Sequence, residues 1–338
     1  MEFTSFAFLC NYRKVIKKSA FIAFLFLFIL PACSLVKVSL LPSTKQLEET
    51  VLEGKGESKI LVLDLNGVIS FKEETSSLGL KAEPSKVAFF REALLKAAED
   101  PGLAGVIIRI NSPGGTIAAS DTIYHEIMSF KEKKKIPVYA YVTELAASGG
   151  YYVASACDRI IASPTAITGS IGVIAMKFSV EGLLSKIGVS NETYKSGPKK
   201  DWWSPFRAST PEEQKMLQGI IDRLFARFIS VVCANRQKYL TEPQVRQLAD
   251  GRILTAGEAL EARLIDQVAY LDEAIDTMKK TLNIAEARIT SYARPGTFMS
   301  NIYSDVPAPV PQVINLISIN SEELSLFSGV HFMYLWNP

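Results

Sequence analysis

Apolar segments with few polar interruptions alternate along residues 59–174 with segments in which apolar residues recur every three or four positions. The first pattern predicts buried strands, and the second predicts helices that pack on them. The predicted strands are residues 60–65, 106–110, 138–142, 159–162 and 171–174, and the predicted helices are residues 85–98, 118–134 and 149–156. Buried strands separated by helices indicate an α/β fold with a largely parallel sheet flanked by helices.

The pattern becomes helical beyond residue 200. The sequence Thr210-Pro211-Glu212-Glu213 is typical of a capping box with proline in the first helical position, so a helix is predicted to begin there. Residues 251–280 predict a short strand, a turn and two helices, which complete a helical C-terminal extension. We therefore expect a folded domain over residues 59–295, a polar tether over residues 34–58 and an irregular tail over residues 296–338.

Residues 1–33 have the composition of an export signal. Basic residues precede an apolar run over residues 20–30, which is shorter than the roughly 20 apolar residues that a spanning helix needs. The run ends in Leu30-Pro31-Ala32-Cys33, which resembles the lipobox of bacterial lipoprotein precursors and makes Cys33 the lipidation candidate. The alternative is an uncleaved anchor that continues to residue 38. Both interpretations predict a domain held at the cell membrane on its extracytoplasmic side.

Composition argues against a nucleic-acid partner and against a metal or other cofactor. The 37 basic and 35 acidic residues nearly cancel, so no nucleic-acid partner is expected. Cys157 and Cys233 lie in apolar segments of the predicted domain, which favours buried thiols, although an oxidising compartment would also allow them to pair. The sequence contains no cysteine–histidine cluster with metal-ligand spacing, so neither a metal nor another cofactor is expected.

Three loops that contain glycine follow or open predicted strands, at residues 111–116, 148–150 and 168–172. In open α/β sheets such loops meet at the carboxyl ends of the strands. In the first loop, two glycines after a proline expose N–H groups near a helix N-terminus, where an anion binds favourably. We therefore expect the chemistry of the protein at this edge of the sheet.

Ser148 is the candidate nucleophile of these loops. It stands between small residues and two glycines after a predicted strand, and the N–H of Gly149 can face a developing oxyanion there. The same run is also consistent with a small-residue turn that lets a helix pack closely on a sheet. His125 and His331 both lie in unpromising contexts, so the lysines of residues 196–201 supply the candidate base.

Together these loops resemble the short form of bacterial signal peptide peptidase A. The resemblance covers about residues 58–295 and rests on Asn111–Gly115, Ala147–Tyr152, Gly169–Val173, Ser196-Gly197 followed by Lys200-Asp201, and Gly251-Arg252 with Thr255. Arg263 and Tyr270 stand where glycines are expected, in turns away from the site. The resemblance implies a Clp protease/crotonase-like fold and a serine–lysine dyad.

The resemblance also implies a role for each site residue. The expected roles are nucleophile for Ser148, general base for Lys200, orientation of Lys200 for Ser170, and the oxyanion hole for Gly114 and Gly149. Family lysines directly precede an aspartate, which selects Lys200 over Lys199.

The environment of the lysine is the physical condition for this chemistry. A lysine acts as a base near neutral pH only when burial lowers its pKa. We therefore expect the bulky residues among 202–206 to exclude water from Lys200, and Asp201 to point away from it.

The resemblance implies a membrane-tethered serine endopeptidase that degrades released signal peptides and other apolar peptides. It also implies a homo-oligomeric ring or dome in which neighbouring chains can share the dyad. A crotonase-like acyl-CoA enzyme and a non-catalytic membrane scaffold are the two alternatives. The first would keep its activity without the Ser148 hydroxyl, and the second would not react with an acylating reagent at Ser148.

Overall fold

The computed structural model describes residues 46–75, 82–295, 297, 299–304 and 332–336. The predicted signal segment and Cys33 lie outside these residues. None of the helices in the described ranges has both the length and the apolar composition to cross a membrane.

The helices and strands follow the alternation seen in the sequence. The strands are Glu48–Glu53 (β1), Lys59–Asn66 (β2), Glu74–Thr75 (β3), Ala82–Glu83 (β4), Leu103–Ser112 (β5), Gly114–Thr116 (β6), Val138–Ala147 (β7), Arg159–Ala162 (β8), Ile167–Gly169 (β9), Ile253–Thr255 (β10), Gln267–Val268 (β11), Arg288–Ala293 (β12) and Met333–Leu335 (β13). The helices are Lys86–Glu99 (α1), Ile117–Lys134 (α2), Gly149–Ala154 (α3), Glu181–Lys186 (α4), Pro211–Arg236 (α5), Glu242–Leu248 (α6), Ala256–Glu261 (α7) and Leu271–Leu282 (α8).

The central sheet is mostly parallel, which confirms the predicted fold class. Its strands run in the order β1-β12-β2-β5-β7-β8-β11, and β9 joins β7 on one side and β10 on the other. Parallel pairing links β12, β2, β5, β7 and β8 in turn. The edge strands β1 and β10 pair in the antiparallel direction. The carboxyl ends of the central strands therefore lie along one edge of the sheet.

Both faces of the sheet are buried against helices. In β2, Leu61 and Leu63 join the apolar core formed with α1, α2 and α5, whereas Ile60 and Val62 join a second core formed with α8. Successive side chains of a strand point to opposite faces, so a strand buried on both sides needs an unbroken apolar run. This requirement explains why the strands lack two-residue alternation.

Helix α5 begins where the capping box predicts. The Glu213 N–H donates to Thr210 Oγ1 at 3.2 Å, and the Thr210 N–H donates to a Glu213 carboxylate oxygen at 2.9 Å. Two of the free N–H groups at the helix start therefore have partners.

Three segments differ from the prediction. Residues 48–53, expected within the tether, form edge strand β1 against β12, with charged side chains facing outward and Leu52 buried. Residues 333–335, expected within the irregular tail, form β13 against β6. Residues 171–174 are not a strand, because Gly169 (φ +96°) and Ser170 (φ 50°) turn the chain out of the extended conformation.

Candidate active site

The three predicted loops meet at the carboxyl edge of the sheet. Strands β5, β7 and β9 run parallel, and their registers place Ser112 opposite Ala146 and Ala147 opposite Gly169. One loop follows each of these strands, so the topology brings Gly114, Ser148 and Ser170 to one place.

Ser148 forms the turn between β7 and α3, in a backbone conformation that L-residues rarely adopt (φ 52°, ψ −111°). Its N–H donates to the Gly169 carbonyl oxygen at 2.8 Å, and its carbonyl oxygen accepts from the Tyr152 N–H at 2.9 Å. A sharp, strained strand-to-helix turn is typical of nucleophilic serines, because it presents the hydroxyl at the edge of the sheet. Ser148 is only 1% exposed, so neighbouring segments control access to it.

Close backbone contacts explain the glycines around Ser148. A Cβ atom on Gly150 would lie 2.9 Å from the Ser112 carbonyl oxygen. A Cβ atom on Gly114, whose φ is +104°, would lie 2.7 Å from the Gly149 nitrogen. The small-residue turn therefore has a real packing role. It also places Gly114 against Gly149, as a pair of oxyanion donors requires.

The N–H groups of the two glycines differ in their present partners. The Gly149 N–H opens helix α3, and the first N–H groups of a helix have no acceptor within it. The Gly114 N–H donates to Ser112 Oγ at 3.1 Å, and Ser112 Oγ donates in turn to the Gly67 carbonyl oxygen at 2.6 Å. Gly114 must therefore exchange this hydrogen bond before its N–H can bind an oxyanion.

Ser148 and Ser170 line one cavity of about 500 Å³. Ser170 is held at φ 50°, and its N–H donates to the Arg252 carbonyl oxygen at 2.7 Å. The other lining comes from the loop after Ser170, helix α5, residues 249–251 and the tail. It combines apolar side chains with the polar side chains of Gln218, Asp222 and Asp250; the apolar ones include Ile171, Val173, Ile174, Ile221, Phe225 and Leu335. A cavity with many apolar lining residues and two serine side chains at its wall is suited to a peptide side chain next to a reacting carbonyl.

The structure does not place Lys200 in this cavity. Lys200 lies in a turn, is exposed, and is absent from the residues that line the cavity. The segment before it contributes little shielding, since helix α4 buries no residue. Trp202 and Trp203 line a separate cavity with Lys177. The expectation that residues 202–206 bury Lys200 is therefore not met within one chain.

The neighbours of Lys200 are engaged elsewhere. Lys199 pairs with Glu212 at 2.7 Å. Asp201 accepts hydrogen bonds from Arg207 at 3.0 Å and from Lys195 at 2.7 Å, and these bonds hold its pKa well below the usual range. The Asp201 carboxylate is thus neutralised by other cations, in line with the expectation that it turns away from Lys200.

Comparison with known proteins identifies the family. The sequence matches peptidase family S49 over residues 130–285. A candidate signal peptide peptidase SppA of Enterococcus faecium is 39% identical over 250 residues, which cover 74% of this chain and 71% of that protein. The chain belongs to peptidase family S49.

Two further proteins are similar to this chain. Protease 4 of Salmonella typhi is 29% identical over 292 residues, which cover 81% of this chain and 46% of that protein. Among solved structures, the 1510-N membrane-bound stomatin-specific protease covers 66% of this chain and 85% of its own, at 19% identity and a TM-score of 0.42. As a member of the S49 family the chain is a serine endopeptidase, which decides against the acyl-CoA enzyme and the scaffold.

One segment of the candidate site was missed by sequence reasoning. Residues 332–336 were predicted to be irregular, yet they lie beside Gly114 as β13, and Leu335 and Trp336 line the cavity of Ser148. The available signal was the run of apolar residues near the end of the tail. Nothing in that run specifies which strand it joins.

Proposed function

We propose that this S49 peptidase is a membrane-tethered endopeptidase that uses a Ser148–Lys200 dyad to degrade released signal peptides and other apolar peptides. The observation that carries the proposal is the position of Ser148, on a strained turn beside Gly149 and at the wall of a cavity that many apolar side chains line. The name of the Enterococcus faecium relative supports the same class of substrate.

In the proposed mechanism, Ser148 Oγ attacks the scissile carbonyl carbon while neutral Lys200 takes its proton. The N–H groups of Gly149 and Gly114 stabilise the oxyanion, each by about 3 kcal/mol. Lys200 then protonates the leaving amine, and water hydrolyses the acyl-enzyme. Ser170, which shares the cavity with Ser148, is the group that orients Lys200.

A neighbouring copy of the chain supplies Lys200 in this proposal. Ser148 is buried at the edge of the sheet, whereas Lys200 is exposed on the segment 175–209. That segment carries exposed apolar side chains at Leu183, Ile187, Val189 and Tyr194. Clustered exposed apolar side chains favour a protein partner. A partner that covered this segment would also bury the lysine, and burial lowers the pKa of a lysine, as its role as a base requires. A homo-oligomeric ring or dome meets both requirements.

Subunit mixing tests the dyad and its sharing together. Full chains with Ser148→Ala or Lys200→Ala should each fail to hydrolyse a fluorogenic apolar peptide. When the two variants are co-assembled, about one quarter of the sites should combine an intact serine with an intact lysine and recover activity. Lys199→Ala is the matched control and should remain active, because its partner Glu212 lies outside the dyad.

Each outcome has a distinct meaning. An active Lys200→Ala chain would contradict the serine–lysine dyad. Two inactive variants that recover nothing on co-assembly would place both groups in the same chain and contradict only the sharing. An inactive Lys199→Ala chain beside an active Lys200→Ala chain would move the base by one residue.

The membrane tether is also part of the proposal. It rests on the basic and apolar composition of residues 1–33 and on the lipobox-like sequence that ends at Cys33. A lipid on Cys33, or an anchor through residue 38, would hold the active site on the extracytoplasmic side, where released signal peptides lie within reach.

A further inference from the structure

The turn that carries Lys200 lies in a long segment without a core of its own. None of the described residues from Gly172 to Glu212 is buried, and the next buried residue along the chain is Glu213. Within the turn, the Lys200 N–H donates to the Gly197 carbonyl oxygen at 3.2 Å, which shapes the turn but does not attach it to the rest of the domain. Apolar packing within one chain contributes little to the position of Lys200, so polar contacts must supply the attachment.

Arg207 attaches this turn to helix α5. Its guanidinium donates to both carboxylate oxygens of Asp201, each at 3.0 Å, and to both carboxylate oxygens of Glu213, at 2.7 and 2.9 Å. Asp201 directly follows Lys200 in the chain, and Glu213 lies in the first turn of α5. These three residues, Asp201, Arg207 and Glu213, form a clasp. Two bidentate contacts on one guanidinium fix direction as well as distance, which a lysine ammonium cannot do.

Helix α5 gives the clasp a rigid support. The capping box that begins α5 uses the same Glu213, whose carboxylate accepts a hydrogen bond from the Thr210 N–H at 2.9 Å. Further along the helix, Ile221 and Phe225 line the cavity of Ser148. The second half of α5 is buried in the apolar core at Phe228, Ile229, Val231 and Val232. The clasp therefore ties the turn of Lys200 to a helix that the core itself holds.

The clasp is charged near neutral pH. Hydrogen bonds from Arg207 hold the pKa of Asp201 well below its usual range and lower the pKa of Glu213 to about 2. Hydrogen bonds to Glu213 and Asp201 in turn raise the pKa of Arg207. Lys195 is a second cation on Asp201, at 2.7 Å. The Asp201 carboxylate is thus engaged by other cations, and a carboxylate directed at Lys200 instead would raise the pKa that a lysine base needs to be low.

We propose that Arg207 is the positioning residue for the lysine of the dyad: it joins Asp201 to Glu213 and so fixes the backbone next to Lys200. The inference rests on the proposed function, because it takes Lys200 as the base. Arg207 is not among the residues that line the cavity of Ser148. It therefore acts through Lys200, in the chain that supplies the lysine.

Single variants of the full chain test the clasp. Arg207→Met should lower kcat for an apolar fluorogenic peptide about 100-fold and Glu213→Gln about tenfold, because a misplacement of about 1 Å costs about 10²-fold. KM should stay within about twofold, since the cavity for the peptide is untouched. Glutamine at position 213 still completes a capping box, so the start of α5 is kept. Glu212→Gln is the matched control and should leave kcat unchanged, because Glu212 pairs with Lys199 outside the clasp.

Circular dichroism and size-exclusion chromatography show whether each variant is folded and assembled. A wild-type kcat in the Arg207→Met chain would overturn the inference. So would a fall in kcat that only accompanies loss of assembly, since Arg207 would then act on the contact between copies.

Subunit mixing locates the effect in one chain. The Ser148→Ala chain supplies the lysine, so adding Arg207→Met to it should leave about 100-fold less activity after co-assembly with the Lys200→Ala chain than the two parent chains recover. Adding Arg207→Met to the Lys200→Ala chain instead should leave the recovery unchanged. A defect in folding or assembly would reduce both recoveries. Equal recoveries in the two arrangements would therefore overturn the inference.

Failure of the proposed function leaves a different pattern. If the Lys200→Ala chain hydrolyses the peptide, the dyad is contradicted and the positioning role falls with it. If the parent chains recover nothing, the dyad lies within one chain, and residual hydrolysis of an activated p-nitrophenyl ester decides the inference. Arg207→Met should then slow the wild-type chain but not the Lys200→Ala chain, because it acts through the lysine. An equal loss in both chains would overturn the inference and leave the dyad standing.

Discussion

Asp64 and Arg109 form a buried ion pair between two central strands, and removing one partner should destabilise the fold by several kcal/mol. The residues stand opposite each other in β2 and β5, with side chains 5% and 3% exposed. The guanidinium donates to both Asp64 carboxylate oxygens, at 2.5 and 2.8 Å, and to the carbonyl oxygens of Ile302 and Ser304 at 2.6 and 2.7 Å. Loss of either partner leaves a buried charge uncompensated, which costs about 3–5 kcal/mol.

This cost translates into a measurable change in melting temperature. We expect Asp64→Asn to lower the melting temperature of the full chain by roughly 6–20 °C, since 1 kcal/mol corresponds to about 2–4 °C in a domain of this size. Circular dichroism of the chain in detergent measures the shift. Arg109→Met should also lower it, and the double variant should lose less than the sum of the two, because no unpaired charge is left behind.

The exposed pair Arg91–Glu126 provides the matched control. The Arg91 guanidinium on α1 lies 2.6 Å from a carboxylate oxygen of Glu126 on α2, and the Arg91 side chain is 60% exposed. Arg91→Met should therefore cost less than about 1 kcal/mol. If Asp64→Asn and Arg91→Met shifted the melting temperature equally, the reasoning from burial would be refuted.

The remaining predictions concern the reactivity of Cys157 and the lipidation of Cys33. Thiol reagents should leave Cys157 unmodified in the folded chain, because burial raises its pKa to about 12, so that about one thiol in ten thousand is ionised at pH 8. Mass spectrometry that finds Cys157 modified before the half-buried Cys233 would contradict this. A labelled fatty acid should mark the wild-type chain but not Cys33→Ser, which should also keep its signal segment. Unlabelled wild-type protein with an intact N-terminus would contradict lipidation and leave the catalytic proposal untouched.

The sequence predicts the sheet and the meeting of its loops for one physical reason. Strands buried on both faces must be apolar throughout, so β2, β5 and β7 are visible as uninterrupted runs. Loops that follow parallel strands emerge at the same edge, which is why Gly114, Ser148 and Ser170 could be grouped before their positions were known. The buried thiol at Cys157 was predictable from its apolar surroundings in the same way.

The elements that were missed lack such a local signal. Strand β1 carries three glutamates and only one buried side chain, so no periodicity marks it, and its pairing with β12 is a long-range contact. The tail strand β13 is held by partners at Gly115 and Ile174 that are more than 150 residues away. The expected burial of Lys200 was not met within one chain for another reason. A motif fixes which lysine the family uses, but burial of that lysine depends on what packs against residues 175–209.

The sharing of the dyad makes a prediction about protein concentration. In the proposed function, Lys200, which is exposed, reaches a serine only when another copy of the chain arrives, and this is a concentration-dependent step. Removing apolar side chains from residues 183–194 should therefore shift the protein concentration at which peptide hydrolysis appears. A rate per chain that does not depend on protein concentration would contradict the sharing.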